Sequence, residues 1–347
     1  DPADGLFRSG SASPRRTGGR ERWPRRGMMP LPFLPTDPIV ITDTTLRDGL
    51  QSLADVHRLE TKLAVLEAIT DAGLRSIELT SFVRPDRVPQ LADAEELVAR
   101  ARARFGDGLE LRALVANHRG LDRAASTGVD LVVILVTLSD EYARRNQGLN
   151  SGENLDLACA LVEAATAQGM AVATAYSMPI FCPYEGAIPP ERLAAATERL
   201  GAAGCSAFTL CTSTGLEGLA EVDRSLSLMR DSGAQDVALH LHTTNGMALA
   251  VALLGLQRGI TRFETAMCGL GGGIALPTDM PEHGNLATED LAHLLFELDL
   301  AEEPAPIIAA ARKVARQLGV IPRSFAARGA TKSSVHASAD LGGRNGT

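Results

Sequence analysis

Aromatic side chains are scarce in this chain: Phe, Trp and Tyr make up 4% of its 347 residues, with a single Trp. Any core must therefore be aliphatic, and a hydrophobic content of 45% is enough to build one from Ala, Val, Leu and Ile. Long apolar runs are missing too. No stretch reaches the roughly 18 residues that a bilayer-spanning helix needs, so no membrane span is expected. Positive charge is not in excess. A net charge of -8 provides no overall field to hold phosphates, which argues against nucleic acid as the main partner. The five cysteines (Cys159, Cys182, Cys205, Cys211 and Cys268) are scattered and never spaced as C-x-x-C. That speaks against a disulfide framework and for a reduced, cytoplasmic setting.

Apolar periodicity is absent at the N-terminal end. Residues 1–38 carry Arg8, Arg15, Arg16, Arg20, Arg22, Arg25 and Arg26 among Gly, Ser and Pro. A transit peptide could have this composition, but Asp1, Asp4 and Glu21 interrupt it. The segment is expected to be a disordered Arg-rich leader, read through upstream of Met28 or Met29. Residues 301–347 are expected to add a short helical extension and a weakly patterned tail.

Between these ends, over 39–300, two patterns alternate. Apolar, β-branched runs occur at 39–42, 75–80, 111–115, 130–136, 171–176, 206–210, 237–241 and 262–266. Amphipathic Ala/Leu/Glu-rich runs lie between them, near 58–72, 91–103, 119–127, 153–168, 190–203, 218–232 and 246–258, and again at 289–298. Glycines such as Gly73, Gly169 and Gly259 close several of these helices. Eight such units predict a (β/α)8 TIM barrel, with a doubly wound open sheet as the alternative.

A barrel places its active site at the C-terminal strand ends, and the polar groups gather there. Asp43, Arg47 and Asp48 follow the first strand, Glu78 lies on the second, and Asn117 follows the third. His240 and His242 lie on the seventh, and Cys268-Gly-Leu-Gly-Gly-Gly273 then His283-Gly-Asn285 follow the eighth. Strand side chains alternate between faces, so His240 and His242 point the same way. Two imidazoles on one face, with a carboxylate from another strand end, suit a divalent metal; the alternative is a pair of ordinary polar residues.

Asp43-Thr-Thr-Leu-Arg-Asp-Gly49 with a later His-x-His resembles the DRE-type TIM-barrel metallolyase superfamily, over roughly residues 39–300. Arg47-Asp-Gly-Leu-Gln51, Ile77-Glu-Leu-Thr-Ser-Phe-Val83, Cys182-Pro-Tyr-Glu-Gly186, Gly269-Leu-Gly-Gly272 and Gly284-Asn-Leu-Ala-Thr-Glu-Asp290 are most similar to its hydroxymethylglutaryl-CoA lyase branch. The resemblance implies that Asp48, His240, His242 and Asn285 bind a divalent cation, Mg2+ or Mn2+. It implies that Arg47 polarises the oxygen that becomes an enolate, and that Gln51, Glu78 and Asn117 line the substrate pocket. It further implies a small-molecule substrate, an acyl-CoA or a hydroxy or oxo acid, and a homodimer. The expected reaction is metal-dependent cleavage of a carbon–carbon bond. An acyltransferase that condenses acetyl-CoA with a 2-oxo acid is the alternative, favoured by Asp43-Thr-Thr-Leu. A barrel that binds metal without turnover is a third.

Three positions depart from the lyase pattern. The catalytic cysteine after Gly-Leu-Gly-Gly is here Gly273. The Gly-Asp-Thr-Ile-Gly of the sixth strand is Cys211-Thr-Ser-Thr-Gly215, so an acid is replaced by Thr212. The Asp that follows the second histidine is Thr243. His283, in a Gly/Pro-rich loop near Asn285, could move the proton that the cysteine would move, or be a solvated loop residue. Cys211 and Cys268 could be reactive, but a small buried hydrophobe is the default for each. Glu185 is expected to close a turn.

Overall fold

The computed structural model describes residues 34–273, 276–277, 283–332, 335–336 and 338–339. Most of the expected leader, 1–33, and the end of the tail lie outside these residues. Among the described residues, no helix is long and apolar enough to cross a membrane.

Eight parallel strands close into a barrel: β1 (Val40–Asp43), β2 (Ser76–Ser81), β3 (Glu110–Val115), β4 (Leu131–Thr137), β5 (Ala171–Ser177), β8 (Ala207–Thr212), β9 (Asp236–Leu241) and β10 (Arg262–Thr265). The short hairpin β6 (Phe181–Cys182) and β7 (Gly186–Ala187) stands apart after β5. Pairing runs in sequence around the ring and closes where β1 meets β10. All eight strands fall on the apolar runs of the sequence. Those runs are continuous rather than alternating because strands of a parallel barrel are covered on both faces, and β2 is buried along its whole length.

The helices of the ring are α1 (Leu59–Asp71), α2 (Ala94–Phe105), α3 (His118–Ala125), α4 (Asp140–Gln147), α5 (Ser151–Ala167), α6 (Pro190–Ala202), α7 (Leu219–Asp231), α8 (Ala248–Gln257) and α9 (Thr288–Glu297). Helix α4 was not expected, because Asp140-Glu-Tyr-Ala-Arg-Arg-Asn-Gln147 is too polar to show an apolar period; only Tyr142 and Ala143 are buried. A further helix, α10 (Ala305–Leu318), packs on α1, and α11 (Phe325–Arg328) on α9.

The barrel interior is divided. On one side Leu131, Val133, Ala173, Ala175 and Cys211 form a small apolar cluster. On the other, Arg112 of β3 donates to Thr42 Oγ1 of β1 at 3.0 Å and lies 3.5 Å from Glu264 of β10. β3 and β10 are not neighbours, so this bridge crosses the lumen. It forms a charged floor under the C-terminal end.

Candidate active site

The chain after β1 winds into one π-helical turn, Thr45–Gly49. The Asp43 carboxylate accepts from Thr45 N at 2.9 Å, and Thr45 Oγ1 accepts from Met267 N at 2.7 Å, which fixes the turn against the loop after β10. Arg47 and Asp48 are held in this turn. The Arg47 guanidinium donates to Asp48 and, at 2.8 Å, to Glu78 Oε2. Burial opposes the charged form of Arg47, but Glu78 and Asp48 outweigh it and the guanidinium stays protonated. Burial likewise works to raise Asp48, but the charges of Arg47, His240 and His242 hold its carboxyl well below the usual range.

The two histidines are oriented from behind. His240 Nδ1 lies 3.1 Å from Glu264 Oε2, and His242 Nδ1 lies 3.0 Å from the Thr212 carbonyl, which can only accept. Each ring therefore turns its Nε2 away from its partner, the arrangement by which histidine ligands are usually fixed. One ligand atom from each of Asp48, His240 and His242 lies within 4.8 Å of the others. Asn285 pairs with His242 across an isolated β-bridge, and its Nδ2 donates to Asp48 Oδ2 at 2.8 Å. His242 Nε2 and Asn285 Oδ1 are buried without a hydrogen-bond partner among the described residues. Leaving such atoms unpaired costs about 1–3 kcal/mol each. Two stranded acceptors beside a deprotonated carboxylate fit a cation, so the residues present match a divalent metal.

Glu264 was not anticipated as part of the site. It accepts from Thr209 Oγ1 at 3.2 Å as well as facing His240 and Arg112. Burial raises its pKa, but the His240 hydrogen bond and the charge of Arg112 bring it down to about 2. The only signal in the sequence was a carboxylate inside an otherwise buried strand run.

Above this floor opens a cavity of about 840 Å³. Arg47, Asp48, His240, His242 and Glu264 line its base, and Arg84, Arg87, Arg144 and Arg145 also line it. Gln51 and Asn117 are on its wall, although the Asn117 side chain also caps α3 by accepting from Gly120 N at 2.8 Å. Glu78 is not among the lining residues; it sits behind Arg47. His283 is also off the wall. Its ring stacks on His242 with centroids 4.3 Å apart. Burial pushes its pKa down to about 4, so the ring is neutral at pH 7.

Thr244 Oγ1 donates to the Thr214 carbonyl, so it accepts from His283 Nδ1–H at 2.8 Å. That leaves His283 Nε2 as an acceptor, buried and without a partner among the described residues. The glycine run roofs the ligands. Gly272 N donates to Asp48 Oδ2 at 3.3 Å, and a Cβ on Gly271 would stand 2.2 Å from Asn285 Nδ2, so no side chain fits there.

The departures from the lyase pattern are visible in place. Gly273 lines the cavity with no side chain to offer. Thr212 accepts from His242 N at 3.1 Å through its hydroxyl. Cys268 is turned out of the cavity, with its thiol donating to the Ala311 carbonyl at 3.1 Å in α10, and burial raises its pKa further. Cys211 is on the wall, and burial raises its thiol well above the ordinary value.

The model of the HMGL-like family matches residues 38–305. The mitochondrial hydroxymethylglutaryl-CoA lyase of Bos taurus is 32% identical over 263 residues, 76% of this chain and 79% of that one. The hydroxymethylglutaryl-CoA lyase of Bacillus subtilis is 33% identical over 263 residues, 76% of this chain and 86% of its own. Among solved structures, the Bacillus subtilis HMG-CoA lyase superposes with a TM-score of 0.76 at 30% identity, covering 85% of this chain and 98% of that one. The enzyme from Pseudomonas aeruginosa gives 0.78 at 28% identity, covering 85% and 97%.

Proposed function

The chain belongs to the HMGL-like family and is a carbon–carbon lyase of the hydroxymethylglutaryl-CoA lyase kind; from that premise we propose that it cleaves a 3-hydroxy acyl-CoA through an enolate at the site described above. The observation that carries the reading is the pair of back-anchored imidazoles of His240 and His242 facing Asp48 beside Arg47 at the base of the cavity. Asp48, His240, His242 and Asn285 would hold a divalent cation, Mg2+ or Mn2+, which suits a set of oxygen and imidazole donors. When bound, the cation would supply Lewis-acid polarisation of the substrate oxygens. Arg47 holds the developing enolate charge with a guanidinium fixed by Glu78. Gln51 and Asn117 contact the substrate, and Glu78 acts through Arg47. His283 takes the substrate hydroxyl proton on its bare Nε2.

The arginines on the wall suit the phosphates of a CoA thioester. The condensing alternative gains no support from the relatives described, which are lyases. We also read the assembly as a homodimer in the cytoplasm, with residues 39–300 as the catalytic barrel and 301–347 as an extension. The test is hydroxymethylglutaryl-CoA cleavage with added metal, alongside metal content of His240→Ala/His242→Ala. Stoichiometric metal in that double variant after mild chelation refutes the ligand assignment. Condensation of acetyl-CoA with a 2-oxo acid, without cleavage, replaces the lyase reading.

A further inference from the structure

Gly273 leaves a place in the cavity wall without a side chain, and another residue fills it. A Cβ built on Gly273 would stand 2.9 Å from the Tyr142 hydroxyl oxygen and 3.2 Å from Leu276. Tyr142 comes from α4, on the other side of the mouth from the loop after β10. It lines the same cavity as Arg47, Asp48, His240 and His242, yet only 4% of it is exposed. Its hydroxyl thus lies within contact distance of the space that a side chain at 273 would occupy. That space adjoins the strip whose Gly272 N–H rests on Asp48.

The first turn of α4, which carries Tyr142, is anchored at its backbone. Ser139 caps α4 by accepting from Tyr142 N at 3.1 Å, and its own hydroxyl donates to Cys182 Sγ of the β6–β7 hairpin at 3.0 Å. Asp140 N donates to Glu185 Oε2 at 3.0 Å, so the residue expected to close a turn also ties that hairpin to the helix start. The hairpin, the cap and the tyrosine form one support.

We propose that Tyr142 is a catalytic residue that protonates the enolate carbon, in place of a side chain at 273. The proposal rests on the lyase reading for its substrate. In the forward direction the substrate hydroxyl gives its proton to an acceptor, and the O–H pair becomes the second bond of a ketone. The carbon–carbon bond breaks, and its electron pair becomes the enolate of the departing acyl thioester. The phenolic O–H of Tyr142 then breaks as a C–H bond forms at the enolate carbon, giving a methyl group. The phenolate takes back, through solvent, the proton held by the acceptor. No net proton, oxidant or reductant is required.

The experiment follows two reactions of the metal-loaded protein: cleavage of hydroxymethylglutaryl-CoA, and uptake of deuterium from heavy water into the methyl group of acetyl-CoA. The second reads proton traffic at carbon alone. Tyr142→Phe removes one oxygen and keeps the ring. It is expected to lower both reactions by about 10²- to 10⁴-fold, the usual range for a positioned acid or base, with melting temperature and metal content unchanged. His283→Ala is expected to lower cleavage and spare the exchange. Exchange and cleavage at wild-type rates in Tyr142→Phe would overturn the proposal. A wild type that exchanges acetyl-CoA protons through Tyr142 but leaves hydroxymethylglutaryl-CoA intact supports Tyr142 and overturns the lyase reading instead. A wild type that does neither defeats both.

Discussion

Two pairs of buried carboxyl groups lie at the same end of this barrel and have opposite fates. Asp48 and Glu264 face Arg47, Arg112 and His240, and the charges around them outweigh burial and hold both carboxyls down. Asp43 and Glu289 face hydroxyls and backbone N–H groups instead. Asp43 accepts from Thr45 N and, at 2.9 Å, from Thr288 Oγ1; Glu289 accepts from Cys268 N at 3.1 Å and from the Ser324 hydroxyl. Burial dominates there, and these dipoles only partly offset it. Asp43 is pushed up to about 6 and Glu289 up to about 7. Depth alone therefore does not mark a functional acid here. Within these two pairs the neighbouring cations make the difference; Glu78, hydrogen-bonded to Arg47 but also facing the charge of Glu264, is still raised by burial.

The largest effect should come from cancelling the charge of the first pair. Asp48→Asn keeps the shape, but removes the anion that balances Arg47 and the proposed cation. Metal content after mild chelation should fall to background, and cleavage should fall by more than about 10³-fold, the upper end for one electrostatic contributor. An Asp48→Asn protein that keeps one metal per chain would show that the histidines alone define the site. Next in size is Arg47→Lys. The planar fork that reaches both Asp48 and Glu78 becomes a single ammonium. A loss of about 2–4 kcal/mol in transition-state stabilisation is expected with an unchanged melting temperature. Wild-type kcat/KM in this variant would remove Arg47 from the enolate.

Of the first pair, Asp48 was legible in the sequence and Glu264 was not. Each strand falls on a mostly apolar, β-branched run, so the eight strands could be placed from 39–42 to 262–266. The His240-Leu-His242 spacing and the position of Asp48 after a strand placed the proposed ligands at one rim. Glu264 escaped notice because its role depends on register: β10 pairs Glu264 with His240 of β9, a relation no local pattern carries. Tyr142 escaped because it lies in a helix too polar to be recognised. His283 was readable as a loop histidine, but its stacking behind His242 depends on how the chain returns from the glycine strip. Asp43 stands at the end of the first strand and Glu289 in the first turn of α9, and neither position in the sequence signals a raised pKa. Their raised pKa values come from burial, which is a product of tertiary packing.

The smallest expected effect sets the pairs against each other by pH. Glu289 has a folded pKa of about 7 against an ordinary 4.5. Below about pH 4.5 the folded and unfolded chains both carry its proton. Between 4.5 and 7 only the folded chain keeps it, so the group's favourable contribution is lost as pH rises through that window. The gap sets a ceiling of about 3 kcal/mol at 1.36 kcal/mol per pH unit. Glu264 has the reverse sign. Its folded pKa of about 2 lies below the ordinary 4.5, so its contribution is present above pH 4.5 and lost as pH falls towards 2. Glu289→Gln keeps an oxygen to accept from Cys268 N and cannot ionise. Its urea midpoint should therefore hold steady from pH 5 to pH 8 relative to wild type, which should weaken over the same span. Glu264→Gln should instead close the gap to wild type only as the solution is acidified below pH 4.5. Parallel curves for wild type and Glu289→Gln across pH 5 to 8 would mean that Glu289 ionises at its ordinary pKa. The contrast between a cation-facing carboxyl pair and a dipole-facing one would then fail at its dipole-facing half.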